Sequence, residues 1–547
     1  MWKSKTLKAA FLSTAAAVVF TACASEPDNE GAGDNAVPGN GEEGAEGGEE
    51  VDAEDAEIDP DNLVIATLSD IEAIDPHTSN DVPSSTVQHN LFESLITQTE
   101  DMELEPGLAT NWENVDETTW ELELREDVTF HDGSDFNAEV VKANLDRILD
   151  DSIGSPRAAL FEMIEEVVVI DDHTVEIHTE YPFSPLPSHL AHSGGGMMSL
   201  ETIEADYEGV EEGGQPGDYI NENPSGTGFF EFEEWTPGSE VVLTRNDDYW
   251  GDPAGVEQVT FQVTPEDLTR IGELETGAAD IIFPVSPSDV ERVESTDGIS
   301  MYEQESLGLA YIGFNMQKEP FDDPDVRRAL SMGINKEDLL EGVLEGTGTP
   351  AVGPLGEQIF GFSDAVEEIP YDPEAAQELL AEAGYEDGFE TTLWTNDSRE
   401  RIDIAELVQA QLSAIGVTVN IEVLEWGAYL ENTSEGQHDM FILGWSTATG
   451  DADYLMYNLF HSSQQGDGNK SFLDDPEIDE LLEEGRSATT EAEREDIYEE
   501  AMQLLVDDAR MLYLYHQDYL VGVRDEVQGF WKHPNGIYQL HEVTIEE

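Results

Sequence analysis

Trp120, Leu122 and Leu124 alternate with Glu121, Glu123 and Arg125, the period-two mark of a half-buried strand. Val167 to Ile170 and Val175 to His178 flank Asp171-Asp172-His173, which predicts a hairpin. Elsewhere the period lengthens. Val141, Leu145, Ile148 and Leu149 repeat at helical spacing behind Asn137, whose short polar side chain suits the free N–H groups of a first turn. Asp372-Pro373 opens a second helix and Gly384 closes it, so cap, first-turn proline and terminal glycine agree. Ile402 to Ile415 is a further amphipathic helix, and Gly416 leads into a strand from Val417 to Val423. Strand and helix signals interleave from Leu63 onward with no repeat at solenoid period, so the pattern predicts a mixed α/β protein.

The first residues follow another logic. Lys3, Lys5 and Lys8 precede an apolar run from Ala9 to Phe20, which ends in Thr21-Ala22-Cys23. The run is far short of the roughly 20 residues that a membrane span needs, so residues 1–22 are expected to be a secretory signal peptide. Cys23, the single cysteine, stands where a bacterial lipobox places its acylated residue. A lipid on that thiol would anchor the chain to a membrane, with the body on the outer, extracytoplasmic or periplasmic side. Residues 24–60 hold 14 acidic residues and no Lys or Arg; they cannot bury a core, and 23–60 is expected to be a disordered tether behind the lipid. One cysteine also excludes a disulfide framework and any cysteine-built metal site.

Charge narrows the partners. The chain carries 22 Lys+Arg against 123 Asp+Glu, a formal charge of −101. Nucleic acid and anionic membrane surfaces, both polyanions, are therefore excluded as partners of the folded body. The carboxylates are spread along the whole chain and define no face; they read as the solvated surface of a halophile's or alkaliphile's acidic proteome, where salt screens self-repulsion. Motifs for catalysis are missing. There is no P-loop, dinucleotide fingerprint or His-Glu-x-x-His. Gly444-Trp445-Ser446-Thr447-Ala448 lacks the second glycine of a nucleophile elbow, and His192 to Gly196 reads as a turn. His189 and His192 could share a metal only with a third ligand from elsewhere, and Asp467 to Asp475 has Phe472 where a calcium loop needs glycine. Neither an enzyme nor a cofactor is expected.

Several blocks in order carry a resemblance. Leu104-Glu105-Pro106-Gly107-Leu108-Ala109-Thr110-Asn111-Trp112, Val128-Thr129-Phe130-His131-Asp132-Gly133 and Phe136 to Val141 form the first. Asn223 to Gly228, Trp235 to Gly238 and Arg245 to Gly251 form the second. Ile312 to Asn315, Pro320 to Asp323, Val326 to Leu330 and Tyr371 to Tyr385 follow. Together they resemble the extracellular solute-binding proteins of family 5, receptors for peptide, nickel and related ABC importers. The resemblance implies a type II periplasmic-binding-protein fold, two lobes with a hinge plus an additional third domain. The implied path is lobe one at 61–100, 221–307 and 518–547, the extra domain at 101–220 and lobe two at 308–517. The hinge strands are expected at Leu307 to Asn315 and Tyr513 to Val523.

The same resemblance implies the ligand. In peptide-binding members a Gly-Trp followed closely by Asp supplies a carboxylate for the peptide's α-amine. Here the third residue after Trp445 is Ala448, and the nearest carboxylates are Asp451 and Asp453. Glutathione-binding relatives are similar in their Thr-Gly-acidic-Ala-Asp run and in a Gly-Phe-Trp-x-x-Pro run like Gly529 to Pro534. Ligand contacts are thus expected at Trp445, Asp451, Asp453 and Tyr454. The ligand carboxylate is expected at Arg399 or Arg401, two cations at a helix N-terminus where the macrodipole disfavours them. The expected partners are a short peptide, dipeptide, oligopeptide or glutathione, and ABC permease subunits in the membrane, with the receptor a monomer. A nickel-chelate or sugar receptor of the same family is the alternative, and a secreted hydrolase a more distant one.

Overall fold

Two long antiparallel strands, Ile299–Phe314 and Met511–Arg524, form the spine of the protein, whose computed structural model describes residues 59–546. The signal segment, Cys23 and nearly all of the acidic linker lie outside the described residues. On one side of the spine stand Met440–Ser446, Phe389–Asn396 and Val417–Leu424; on the other stand Ile281–Phe283, Asn62–Thr67, Gln258–Val263, Glu240–Arg245 and Phe230–Thr236, all in one sheet. The 62–67 strand pairs in parallel with 258–263 and 281–283, and 389–396 pairs in parallel with 417–424 and 440–446. Parallel pairs need crossover connections, which the intervening helices supply.

The core is divided along this sheet. Leu63, Ile65, Phe230, Leu243, Val259, Ile281, Val521 and Leu540 are buried together at one end. Tyr311, Phe441, Leu455, Met502 and Tyr513 form one core at the other end, and Ile312, Leu330, Val408, Val417 and Leu514 form another beside it. A further core, from Leu95 to Met197, lies under the antiparallel sheet made by Ala109–Asp116, Thr119–Leu124, Thr174–Thr179 and Ile164–Asp171. The spine strands belong to both ends. Their pairing slips between Glu305/Leu309 and again between Ala310/Tyr311, and such bulges bend a strand and increase its twist. This is an α/β architecture of two lobes joined by crossing strands, with an added domain.

Local signals produced the elements that they predict. Asn137 accepts hydrogen bonds from the backbone N–H of Glu139 and Val140 and caps Ala138–Ile148, and Asp372 caps Pro373–Glu382. Gly384 and Gly416 sit at φ +95° and +92°, a region open to glycine at no steric cost. The helix expected from Ile402 starts three residues earlier, as Arg399–Ala414. Its first turn is charged and carries no apolar period, so hydrophobic spacing locates only the part that packs.

A buried ion-pair network centred on Arg147, through its contact with Asp75, helps to fasten the added domain to the first lobe. Arg147, on the 138–148 helix, donates from Nη2 to Asp75 Oδ2 and to Asp206 Oδ2, both at 2.7 Å, and from Nη1 to Asp75 Oδ1 at 3.2 Å. All three side chains are buried.

His438 occupies an aromatic pocket, its ring centroid 4.7 Å from that of Phe441 and 6.3 Å from those of Trp394 and Phe472. Burial, with Lys318 nearby, pushes its pKa down to about 4. The folded protein then binds fewer protons than the unfolded chain below pH about 6.5, so this residue costs stability as pH falls from there towards 4. In a His438→Phe protein the stability difference from the parent is expected to shift by about 1.5 kcal/mol in the variant's favour between pH 6.5 and 5. Urea denaturation at the two pH values measures it, and a constant difference would refute the neutral buried imidazole.

Candidate functional site

The strand Met440–Ser446 lies against the spine, with Gly444 opposite Ala310 and Trp445 opposite Leu309. Beyond it the chain turns through Thr447–Gly450 into the helix Ala452–Phe460, which Asp451 caps by accepting from the backbone N–H of Asp453. Gly450 has φ +71°, and a side chain there would collide with Met102 of the added domain. Gln98 Nε2, from the first-lobe segment just before that domain, donates to Thr449 O at 2.9 Å. The turn after Trp445 is therefore held from across the domain boundary.

Arg401 approaches the same strand from the first turn of its helix. Its Nη1 donates to Asn396 Oδ1 at 3.1 Å, its guanidinium stands 5.5 Å from the Trp426 ring centroid, and no side chain at Gly444 separates it from the strand. Arg401, Gly444, Trp445, Ser446, Tyr515 and Tyr519 line a cavity of about 250 Å³. It shares Glu400, Gln517 and Tyr519 with a second cavity of about 360 Å³, which reaches Phe283 and Pro284 at the end of a lobe-one strand. Those two residues also line a third, mostly apolar cavity of about 150 Å³ that includes Thr67, Ile71, Lys532 and Tyr538. The three form a chain of cavities from the second lobe, past the spine, to the carboxyl ends of the parallel strands of the first. That is where open α/β sheets bind ligands.

The predicted site residues are not all in this space. Trp445 and Arg401 line it. Tyr454 packs on Trp445 with ring centroids 6.1 Å apart and on His189 of the added domain at 6.4 Å. Arg399 stands 86% exposed and pairs with Asp403 one turn on, at 2.8 Å. Asp453 is buried, and both of its oxygens accept from Arg486, each at 3.0 Å. Asp451 is buried as well; its Oδ1 accepts from Arg494 Nη2 at 2.6 Å, while Oδ2 has no hydrogen-bond partner. Burial works against the charged form of Arg494, but the attraction of Asp451 outweighs it and raises its pKa. The negative charge of both aspartates is thus balanced inside the fold.

Residues that motif reading passed over complete the space. Tyr515 donates to Glu400 Oε1 at 2.8 Å, and burial with that carboxylate raises its pKa. Tyr519 is pushed up to about 12 by burial. Lys532 is fully buried, its Nζ 4.0–4.7 Å from the ring centroids of Phe283, Tyr519 and Tyr538, and burial drives its pKa well below the usual lysine range. Only Lys532 carried a signal, being a lysine inside the Gly-Phe-Trp-x-x-Pro run.

Known proteins share this fold and much of this sequence. The chain is 32% identical over 497 residues to the glutathione-binding protein GsiB of Pectobacterium atrosepticum, covering 89% of this chain and 94% of the relative. It is 29% identical over 528 residues to the dipeptide-binding protein of Escherichia coli, covering 90% and 96%. Among solved structures, HbpA2 from Haemophilus parasuis superposes with a TM-score of 0.82 at 27% identity, over 89% of this chain and 100% of that one. The dipeptide-binding protein from Pseudoalteromonas sp. SM9913, solved with Met-Leu, gives 0.73 at 25%, again over 89% and 100%. Residues 103–467 match the family described as bacterial extracellular solute-binding proteins, family 5. With its fold and its sequence over most of its length in agreement, the chain belongs to the extracellular solute-binding proteins of family 5.

Proposed function

We propose that this protein captures a short peptide, glutathione or a dipeptide, between its two lobes and delivers it to an ABC permease. The observation that carries the reading is the chain of cavities crossing the spine, with Trp445 and Arg401 on one side and Lys532 on the other. Similarity to glutathione- and dipeptide-binding proteins supports it. Arg401 takes a ligand carboxylate, Trp445 and Tyr454 pack on its body, and the unpartnered Oδ2 of Asp451 accepts from its amine. Asp453 and Arg399 have other partners and serve as a brace and a surface charge. A charged group enclosed without a partner is costly, so a closed cleft has to supply these contacts.

We further assign lobe one to 61–100, 221–307 and 518–547, lobe two to 308–517 and the added domain to 101–220, whose Met198, Ile203 and Ile220 pack into the first lobe's core. Cys23 is the proposed lipid anchor, with the body extracytoplasmic and monomeric. Titration calorimetry with glutathione and with Met-Leu tests the ligand. Binding of either one supports the reading, and binding of neither overturns it. The formal charge of −101 is read as an adaptation to high salt: at about 1 M the Debye length falls to about 3 Å, and the melting temperature is expected to rise. An unchanged midpoint would refute that adaptation.

A further inference from the structure

Cations are scarce in this chain, and its buried arginines show where they are used. Arg147 meets Asp75 and Asp206, Arg494 meets Asp451, and Arg270 meets Asp267. Arg327 has no carboxylate but donates to three backbone carbonyls, those of Phe321, Asp508 and Ala509. Arg157 has neither arrangement. It is 5% exposed, it forms no ion pair among the described residues, and its one side-chain hydrogen bond is from Nη2 to the Ser85 hydroxyl at 2.7 Å. Its Nε is enclosed without an acceptor. Burial pushes its pKa down to about 10, only partly offset by Asp81 and Tyr454.

Two parts of the fold meet at this side chain, and a third stands near it. Ser85 belongs to the lobe-one helix Val82–Leu91. The turn Ser193–Gly195 comes from the added domain; a Cβ on Gly194 would lie 2.8 Å from Arg157 Cδ, so this glycine lets the arginine lie flat against the turn. Ser193 Oγ is buried there without a partner. Tyr454 of the second lobe, whose ring packs on Trp445, makes no hydrogen bond to the arginine but is near enough for their charges to act on each other. The holders of Arg401, Asn396 and Trp426, are not shared with Arg157, so the two cations are separate sites.

An enclosed guanidinium without a counter-charge is destabilising, in a chain that has carboxylates in great surplus. We infer that Arg157, with the Ser193 hydroxyl, is the receptor for a second ligand carboxylate, so that the preferred ligand is a short peptide with two separated carboxylates. This rests on the function proposed above and narrows it, since glutathione carries two such groups and Met-Leu one.

The test uses glutathione and its two mono-amides, one blocked at the glycine carboxyl and one at the glutamyl α-carboxyl, with Met-Leu as the single-carboxylate probe. In the parent, one of the amides is expected to bind about thirty-fold or more weakly than glutathione. Arg157→Gln is expected to lose a similar factor for glutathione while binding that same amide as the parent does. Arg157→Lys, which keeps the charge without the planar fork, falls between. The ligand-free melting temperature of Arg157→Gln is expected to equal or exceed the parent's, because an unbalanced buried charge has gone. A merely structural arginine would lower it. Unchanged acid-to-amide ratios in Arg157→Gln overturn this inference and leave the proposed function standing. Binding of Met-Leu at least as tightly as glutathione does the same. Binding of none of the probes by the parent overturns both.

Discussion

Arg147→Met is expected to lose about 4–5 kcal/mol of stability. The substitution keeps the volume of the stem but leaves Asp75 and Asp206, both fully enclosed, facing each other without their cation. Breaking a buried pair by removing one partner is costly because the other charge stays buried, and here two charges are left. Even with Arg147 in place, burial raises the Asp75 pKa above its ordinary value, against the pull of the arginine. Without it the Asp75 carboxyl takes up a proton in the folded state at a pH where the unfolded chain has released it. The deficit is therefore largest near pH 8 and shrinks as pH falls towards 4. Urea denaturation followed by tryptophan fluorescence measures it. A midpoint equal to the parent's, or a deficit that grows on acidification, would show that this network does not hold the added domain to the first lobe.

Asp451→Asn is expected to cost about 3 kcal/mol in the ligand-free protein. Asparagine caps a helix about as well as aspartate, so the 452–460 helix keeps its start and the loss reports the ion pair. Arg494, buried over the Phe360 ring at 4.6 Å, would keep Gly485 O, the Tyr498 hydroxyl and the amide oxygen as partners but no counter-charge. Breaking a buried pair in this way is worth about 3–5 kcal/mol, with the lower end applying to a neutral amide that still accepts a hydrogen bond. Thermal denaturation without ligand separates this from a role in recognition. A variant as stable as the parent but weaker for glutathione would make Asp451 a ligand group alone.

Much of the scaffold was legible in the chain because it rests on local chemistry. Asn137 and Asp372 cap the helices that their spacing announced, Gly384 and Gly416 end elements at positive φ, and the 164–171 and 174–179 strands form the expected hairpin. Ordered blocks such as Asn223 to Gly228 were enough to indicate the family. Each of these signals lies within a few residues and survives in any surroundings.

The site divided differently. Trp445 and Arg401 do reach the cleft, but the carboxylates next to Trp445 are balanced by Arg494 and Arg486, 43 and 33 residues away in the chain. Arg157 drew no notice as a sequence position, since what distinguishes it is the lack of a partner. The amino-acid sequence alone determined the elements, their order and the family, because helix caps, turn glycines and apolar periods act between near neighbours. Which charges are balanced was decided only by the tertiary structure: with 123 acidic residues against 22 Lys and Arg, nearly any pairing is possible on paper. Burial and distance then select the few that form, and the cations they leave over.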